Sequence, residues 1–186
     1  MKDFSLFDLA VELSSHSHTT ISGDIVSISR RDFQECETLI FRTMTPGLEY
    51  ASLLIENELL LRTNRAGRVY AGFEKFSSLQ PIVDRYVRIA DVSGSVYLFG
   101  EPDWQPPRHP NIRFVNLASD FKLARESFLI AESPTLSVAL IGLDEDGFGV
   151  PAFELRNFTV IKSHKKEIVA KIVLSIEGMI DWSIAA

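Results

Sequence analysis

A chain of 186 residues, 46% hydrophobic and 24% charged, has the composition of a soluble globular domain, long enough for one substantial core and cramped for two. Its net charge of -6 disfavours the broad basic surface that phosphate contacts require, so nucleic acid is not an expected partner. The single cysteine, Cys36, permits no intramolecular disulfide, and acids interrupt the opening MKDFSLFDLAVELSS where a signal peptide needs an apolar run, so the expected compartment is the reducing cytoplasm.

No run approaches about 18 consecutive apolar residues, so no membrane span is expected, and without repeats or a low-complexity linker residues 1–186 are expected to form one domain. In chain order, FSLFDLAVELSS (4–15) predicts a helix whose apolar material is Phe4, Phe7, Leu9, Val11 and Leu13. GDIVSISR (23–30) alternates, which predicts a short strand. SRRDFQECETLIFRTM (29–44) and LEYASLLIENELLLRT (48–63) predict two helices, the second opening behind Pro46 and Gly47, with Cys36 as a buried thiol on the first.

From residue 68 strand and helix alternate. RVYAGFEKF (68–76) predicts a strand, and SSLQPIVDRYVRIAD (77–91) a helix capped by Ser77 or Ser78, with Pro81 in its first turn and Leu79, Ile82, Val83, Tyr86, Ile89 and Ala90 on one face. SVYLFG (95–100) and IRFVNL (112–117) predict strands. A meander follows: ESFLIAES (126–133), a turn at Ser133, LSVALIGLDE (136–145), a loop DGFGVPA (146–152), and FELRNFTVIKS (153–163). Val138 to Ile141 are apolar on both faces, which places that strand centrally with cover on each side. KKEIVAKIVLSIEGMIDW (165–182) carries Ile168, Val169, Ile172, Val173, Ile176 and Ile180 in one helical stripe. The expected fold is α/β: a single domain with a mixed central sheet flanked by helices, an N-terminal helical segment and a long C-terminal helix.

Between two of these strands lies GEPDWQPPRHPN, stiffened by Pro102, Pro106, Pro107 and Pro110. A rigid loop bearing Asp103, Trp104, Arg108 and His109 suits the wall of a ligand pocket, and equally a packed connector whose Trp104 covers the core. FEKFSSLQP (73–81) joins a strand to a helix whose free N–H groups, with Lys75, suit an anion; a serine cap satisfies the same donors. DEDG (144–147) reads as a turn, since it lacks the alternating ligands of a calcium loop. HSH, with His16 and His18, reads as a solvated helix end; His109 and His164 stand alone in sequence. Phosphate-binding glycine loops, nucleophile elbows and zinc-hydrolase motifs are missing, so no catalytic or metal-binding residue is assigned and no cofactor is indicated.

The runs FEKFSSLQPIVDRYVRIA, VYLFGEPDWQPP, IRFVNL, LARESFLIAES, LSVALIGLD and RNFTVIKSHKKEIVAKIVLSIEGMIDW resemble, in order, the DICT sensory domain, a bacterial family that occurs with diguanylate cyclases and two-component proteins; the best match covers about residues 68–182. The chain departs from that pattern where Lys75 and Ser78 replace arginine and where Ser127 replaces tryptophan. The resemblance implies a cytoplasmic input module joined to or working beside kinases, cyclases or transcriptional regulators, and carries over no catalytic residue and no ligand; the first expectation is a non-enzymatic sensory domain that senses a small ligand or relays a signal to such an output. The ligand site is expected near Phe73, Lys75, Phe76, Arg85, Phe99, Asp103, Trp104 and Arg156. Two alternatives stand beside it: a ligand-free module that forms a homodimer or docks through its aromatic or C-terminal surface, and an unrecognised hydrolase.

Overall fold

The computed structural model describes residues 2–15, 19–20, 24–62, 64–147 and 155–185. Its helices are α1 (Leu6–Ser14), α2 (Arg30–Glu35), α3 (Thr45–Leu60), α4 (Val83–Val92) and α5 (Lys166–Ala185). Its strands are β1 (Thr19–Thr20), β2 (Thr38–Met44), β3 (Asn64–Lys75), β4 (Ser93–Glu101), β5 (Ile112–Asn116), β6 (Glu126–Glu132), β7 (Ser137–Asp144) and β8 (Asn157–Ser163). They form one mixed sheet in the order β1-β2-β8-β7-β6-β3-β4-β5, with β3, β4 and β5 parallel and the β3, β6, β7, β8, β2 run antiparallel.

Alternation along the central strands creates two cores. Val138 and Leu140 of β7, with Leu129 and Ala131 of β6, face one cluster covered by α3 and α4; Ala139, Ile141, Phe128 and Ile130 face the other, covered by α1 and α5. The run in β7 is apolar on both faces because both faces are dry, and β7 lies well inside the sheet, as expected. Every member of the α5 stripe is buried. Each such side chain contributes roughly 1.5–3 kcal/mol by leaving water, which pins α5 along the sheet.

The proline-rich segment answers a topological need. Because β5 runs parallel to β4, with Ile112 opposite Val96 and Asn116 opposite Gly100, the chain must return the length of β4 before it can start β5. Residues 102–111 make this return without a helix, and prolines suit it because they hold the chain extended. Asn111 fixes the far end, its amide N donating to the Ala90 carbonyl at 3.0 Å and its carbonyl accepting from the Val96 N–H at 2.8 Å.

Three local expectations are corrected. The alternating stretch near residue 25 is no strand but a tight 3-10 turn over Ile25–Ser27, because three-residue spacing brings Ile25 and Ile28 to the same core while Val26 points to water. The single helix expected over 29–44 is split: α2 ends at Glu35 and β2 follows, whose Leu39 and Phe41 face one core and Ile40 the other. Cys36 is consequently a half-buried residue at the end of α2 rather than a buried one inside a helix.

Helix starts also differ. α3 begins at Thr45, with Pro46 in its first turn; a side chain at Gly47 would come within 1.9 Å of Thr43 Oγ1, so only glycine lets helix and strand approach there. Neither Ser77 nor Ser78 caps α4, since Phe76–Ile82 form 3-10 turns and the α-helix starts at Val83, beyond Pro81. DEDG does form a turn: Asp144 Oδ1 accepts from the N–H groups of Asp146 and Gly147, and Gly147 has φ 67°. His16, His18 and most of the 146–152 loop lie outside the described residues.

Because α5 is held by burial alone along much of its length, Ile172→Ala is expected to cost roughly 2–5 kcal/mol, read as a lower denaturant midpoint at unchanged slope in urea unfolding.

Candidate functional site

A cleft of about 510 Å³ opens between α3, the turns ahead of α4, and the strands β3 and β6. That volume lies within the range that holds small organic ligands. Leu48 and Leu53 wall it from α3, Pro81, Ile82 and Tyr86 from the opposite side, and Phe73 and Leu129 from the sheet. Polar groups converge on this apolar lining: Ser78, Ser127, Glu49, Glu56 and Arg85.

Glu56 dominates its electrostatics. The residue is 3% exposed, its carboxylate accepts a hydrogen bond from Arg85 Nη1 at 2.7 Å, and the Tyr86 phenol lies close by. Burial, and then the Glu56 charge, push the Tyr86 hydroxyl well above the usual tyrosine range, so it remains a neutral donor. The Tyr86 ring meets Phe73 edge to face, with centroids 5.6 Å apart. Thus α3 and α4 are joined by a charged strut beside an apolar cleft.

A smaller hollow of about 50 Å³ adjoins it, sharing Phe73, Ser78 and Ser127, and its lining is strongly charged. There Arg156 pairs with Glu74 at 2.6 Å and with Asp144 at 3.4 Å. Glu126, 2% exposed, turns its carboxylate to the start of α1, where it accepts from the N–H groups of Leu6 and Phe7 at 2.9 and 3.2 Å and from the Ser5 hydroxyl. Burial pushes its pKa up to about 7, against the opposing pull of those donors.

The residues expected to form one site divide into groups. Phe73 and Arg85 line the wide cleft, and Arg156 lines the hollow beside it. Phe76, Asp103 and Trp104 instead surround a shallow depression beneath the proline segment, where Trp104 packs half-buried against the core. Phe99 lies in the opposite core against Phe128, with centroids 5.5 Å apart, and Lys75 stands at the end of β3 opposite Glu101.

The anion expected at FEKFSSLQP proves to be part of the chain: Asp103 accepts from Ser77 N at 2.9 Å and from its hydroxyl, and these bonds hold the carboxyl below its usual range. Sequence reasoning missed Glu56, Ser78, Ser127 and Glu126 as site residues. Glu56 is one of two acids, with Glu58, in the stretch SLLIENELL, and nothing in the sequence marks it as the buried one.

Together these features define a three-layer mixed α/β domain with a walled, partly polar cleft. Residues 51–144 match the family described as DICT, the sensory domain in diguanylate cyclases and two-component system, and the chain belongs to that family. The matched stretch contains Glu56, Phe73, Arg85, Tyr86 and Ser127, which come from both walls and the floor of the cleft. No curated protein matches the chain. Among solved structures, a polyphosphate kinase from Porphyromonas gingivalis is similar over 76% of this chain and 22% of its own, at 15% identity and a TM-score of 0.45, a likeness too slight to bear on fold or function. No helix among the described residues is long and apolar enough to cross a membrane.

Removing Arg85 leaves the Glu56 carboxylate buried without its cation, so Arg85→Ala is expected to cost about 3 kcal/mol in chemical denaturation. The double change Glu56→Met with Arg85→Met removes both charges and is expected to recover most of that loss. Glu126 predicts a pH effect. With a folded pKa of about 7 against an ordinary 4.5, its protonated form is favoured by folding, so its contribution is complete below the ordinary value and is lost as pH rises toward 7. The stability difference between wild type and Glu126→Gln is expected to shift against the wild type across that window, as measured by urea titrations at successive pH values.

Proposed function

We propose that this chain is a cytoplasmic sensory domain of bacterial signal transduction that binds a small molecule in the cleft between α3 and α4 and passes the result to a kinase, cyclase or transcriptional output. Family membership supports the sensory role. The observation that carries the ligand reading is the juxtaposition of an apolar cleft of about 510 Å³ with the buried Glu56–Arg85–Tyr86 cluster.

In this reading the apolar body of the ligand packs between Leu53, Ile82 and Phe73, and its polar groups meet Ser78, Ser127 and the exposed part of the Arg85 guanidinium. The departures from the family pattern at Ser78 and Ser127 both fall on this lining, where a hydroxyl leaves room that arginine or tryptophan would fill. Arg156 serves the charged end of the cleft, while Asp103, Trp104 and Phe76, with Lys75 nearby, brace its outer flank through the proline segment; Phe99 supports the sheet from behind.

Binding is proposed to act on the strut. A ligand that draws Arg85 toward itself weakens the tie to Glu56, and α3 can then settle differently against α4; the ligand shifts the balance only by its unequal affinity for the two arrangements. No covalent chemistry is assigned, and the module is proposed to bind rather than to catalyse.

Native mass spectrometry of the protein purified from cells tests the proposal. Extra mass that disappears on denaturation is expected, and Ser127→Trp, which fills the cleft, is expected to abolish it while Ser127→Ala retains it. A clean apo mass at twice that of the chain would instead favour the ligand-free dimerisation module.

A further inference from the structure

A second cleft, of about 360 Å³, lies on the other side of α3, between α2 and the end of β8. Phe33, Leu54, Ile55 and Val138 give it apolar walls, Lys162 and His164 stand at one side, and Glu58, held by Arg62, also lines it. Lys162 continues the inward parity of Phe158 and Val160, so β8 places an ammonium where its pattern calls for an apolar side chain. The residue is 3% exposed.

Its hydrogen bonds all run to neutral groups: the carbonyls of Phe33 and Cys36 at 2.7 and 2.9 Å, which end α2, and Nδ1 of His164 at 2.8 Å. Among the described residues no carboxylate lies within ion-pair distance of it. The nearby acids are engaged elsewhere, Glu58 with Arg62 at 2.6 Å and Glu37 with Lys165 at 3.2 Å. Buried cations are ordinarily paired, because a charge taken out of water needs a counter-charge to offset its lost hydration. Here no carboxylate is paired directly with the ammonium: the Phe33 ring lies 5.3 Å from it, Glu58 acts on it only from beyond ion-pair distance, and an open cleft lies beside it.

We propose that this cleft is a second binding site, for a small carboxylate with an apolar body, whose anionic group supplies the counter-charge to Lys162 through His164. With Nδ1 occupied by the lysine, the imidazole offers Nε2–H to the carboxylate, and the ammonium strengthens that bond from behind. The apolar body lies against Phe33, Leu54 and Val138. This inference is independent of the ligand reading of the α3–α4 cleft, although α3 walls both.

The titration of Lys162 supports it. Burial holds the lysine down to about 8, with Cys36, Glu58 and His164 as the titratable groups facing it. A bound carboxylate favours the charged lysine, so binding is expected to take up a proton near that pH and to weaken roughly tenfold per pH unit well above it.

The test titrates the full chain with octanoate and 3-phenylpropionate, each against its neutral amide, by calorimetry and by amide shifts in nuclear magnetic resonance. Either acid is expected to bind at least about tenfold more tightly than its amide, to shift the signals of Phe33, Lys162 and His164, and to lose about tenfold in affinity in Lys162→Met. Should that variant fail to fold, His164→Phe is expected to show the same loss. Equal binding of acid and amide, shifts confined to Phe73 and Tyr86, or no binding of either acid at millimolar concentration would overturn the proposal.

Discussion

A carboxylate almost wholly out of solvent, Glu56, stands between two helices that would otherwise close on one another, and the layer above the sheet is organised around its needs. An ion desolvated to this degree must be met by a donor of good geometry, and Arg85 of α4 meets it, with the Tyr86 phenol close by. This requirement sets the spacing of α3 and α4, so their apolar faces cannot zip together throughout. The cleft is what remains, and its lining is mixed for the same reason: the core residues of both helices continue to its edge, and the charged cluster interrupts them.

The other face of the sheet has no such interruption. α5 lies on it through an unbroken stripe of branched aliphatic side chains, reinforced at one end by Tyr70 and Arg68, which both donate to Glu177. One face of the sheet is therefore covered by continuous apolar packing, and the layer on the other is divided by the cleft. The ligand proposed for the α3–α4 cleft would work on the side held by more polar ties, where an interaction worth a few kcal/mol changes the balance between arrangements.

Charge placement gives the remaining loops their roles. Asp103 reaches back to Ser77 and ties the proline crossover to the turns that precede α4, and Glu126 ties β6 to the start of α1. Each satisfies backbone or hydroxyl donors that a shorter side chain could not reach. Lys162 does the opposite service at the end of α2, donating to carbonyls, yet it has no directly paired carboxylate and stands beside an open cleft. The contrast between these carboxylates, whose partners complete them, and this ammonium, whose partners are neutral, sets the second cleft apart.

Periodicity along the chain was enough to determine a mixed α/β domain with a two-faced central strand and a long final helix, because Val138 to Ile141 form an unbroken apolar run that alternates between two cores, and apolar residues recur every three or four positions from Ile168 to Ile180. It misjudged 29–44, where DFQEC and TLIFRTM read as one helical run and only pairing with β8 extends the second part into a strand. Of the residues expected near a ligand, Phe73 and Arg85 line the α3–α4 cleft and Arg156 the hollow beside it. Glu56 was not among them, since an acid in a helix looks solvated until its neighbours are known. Which faces meet, which charges find partners and which do not was decided only in the tertiary structure, because these depend on residues as distant in sequence as Glu56 and Arg85, or Phe33 and Lys162, being brought within hydrogen-bonding reach.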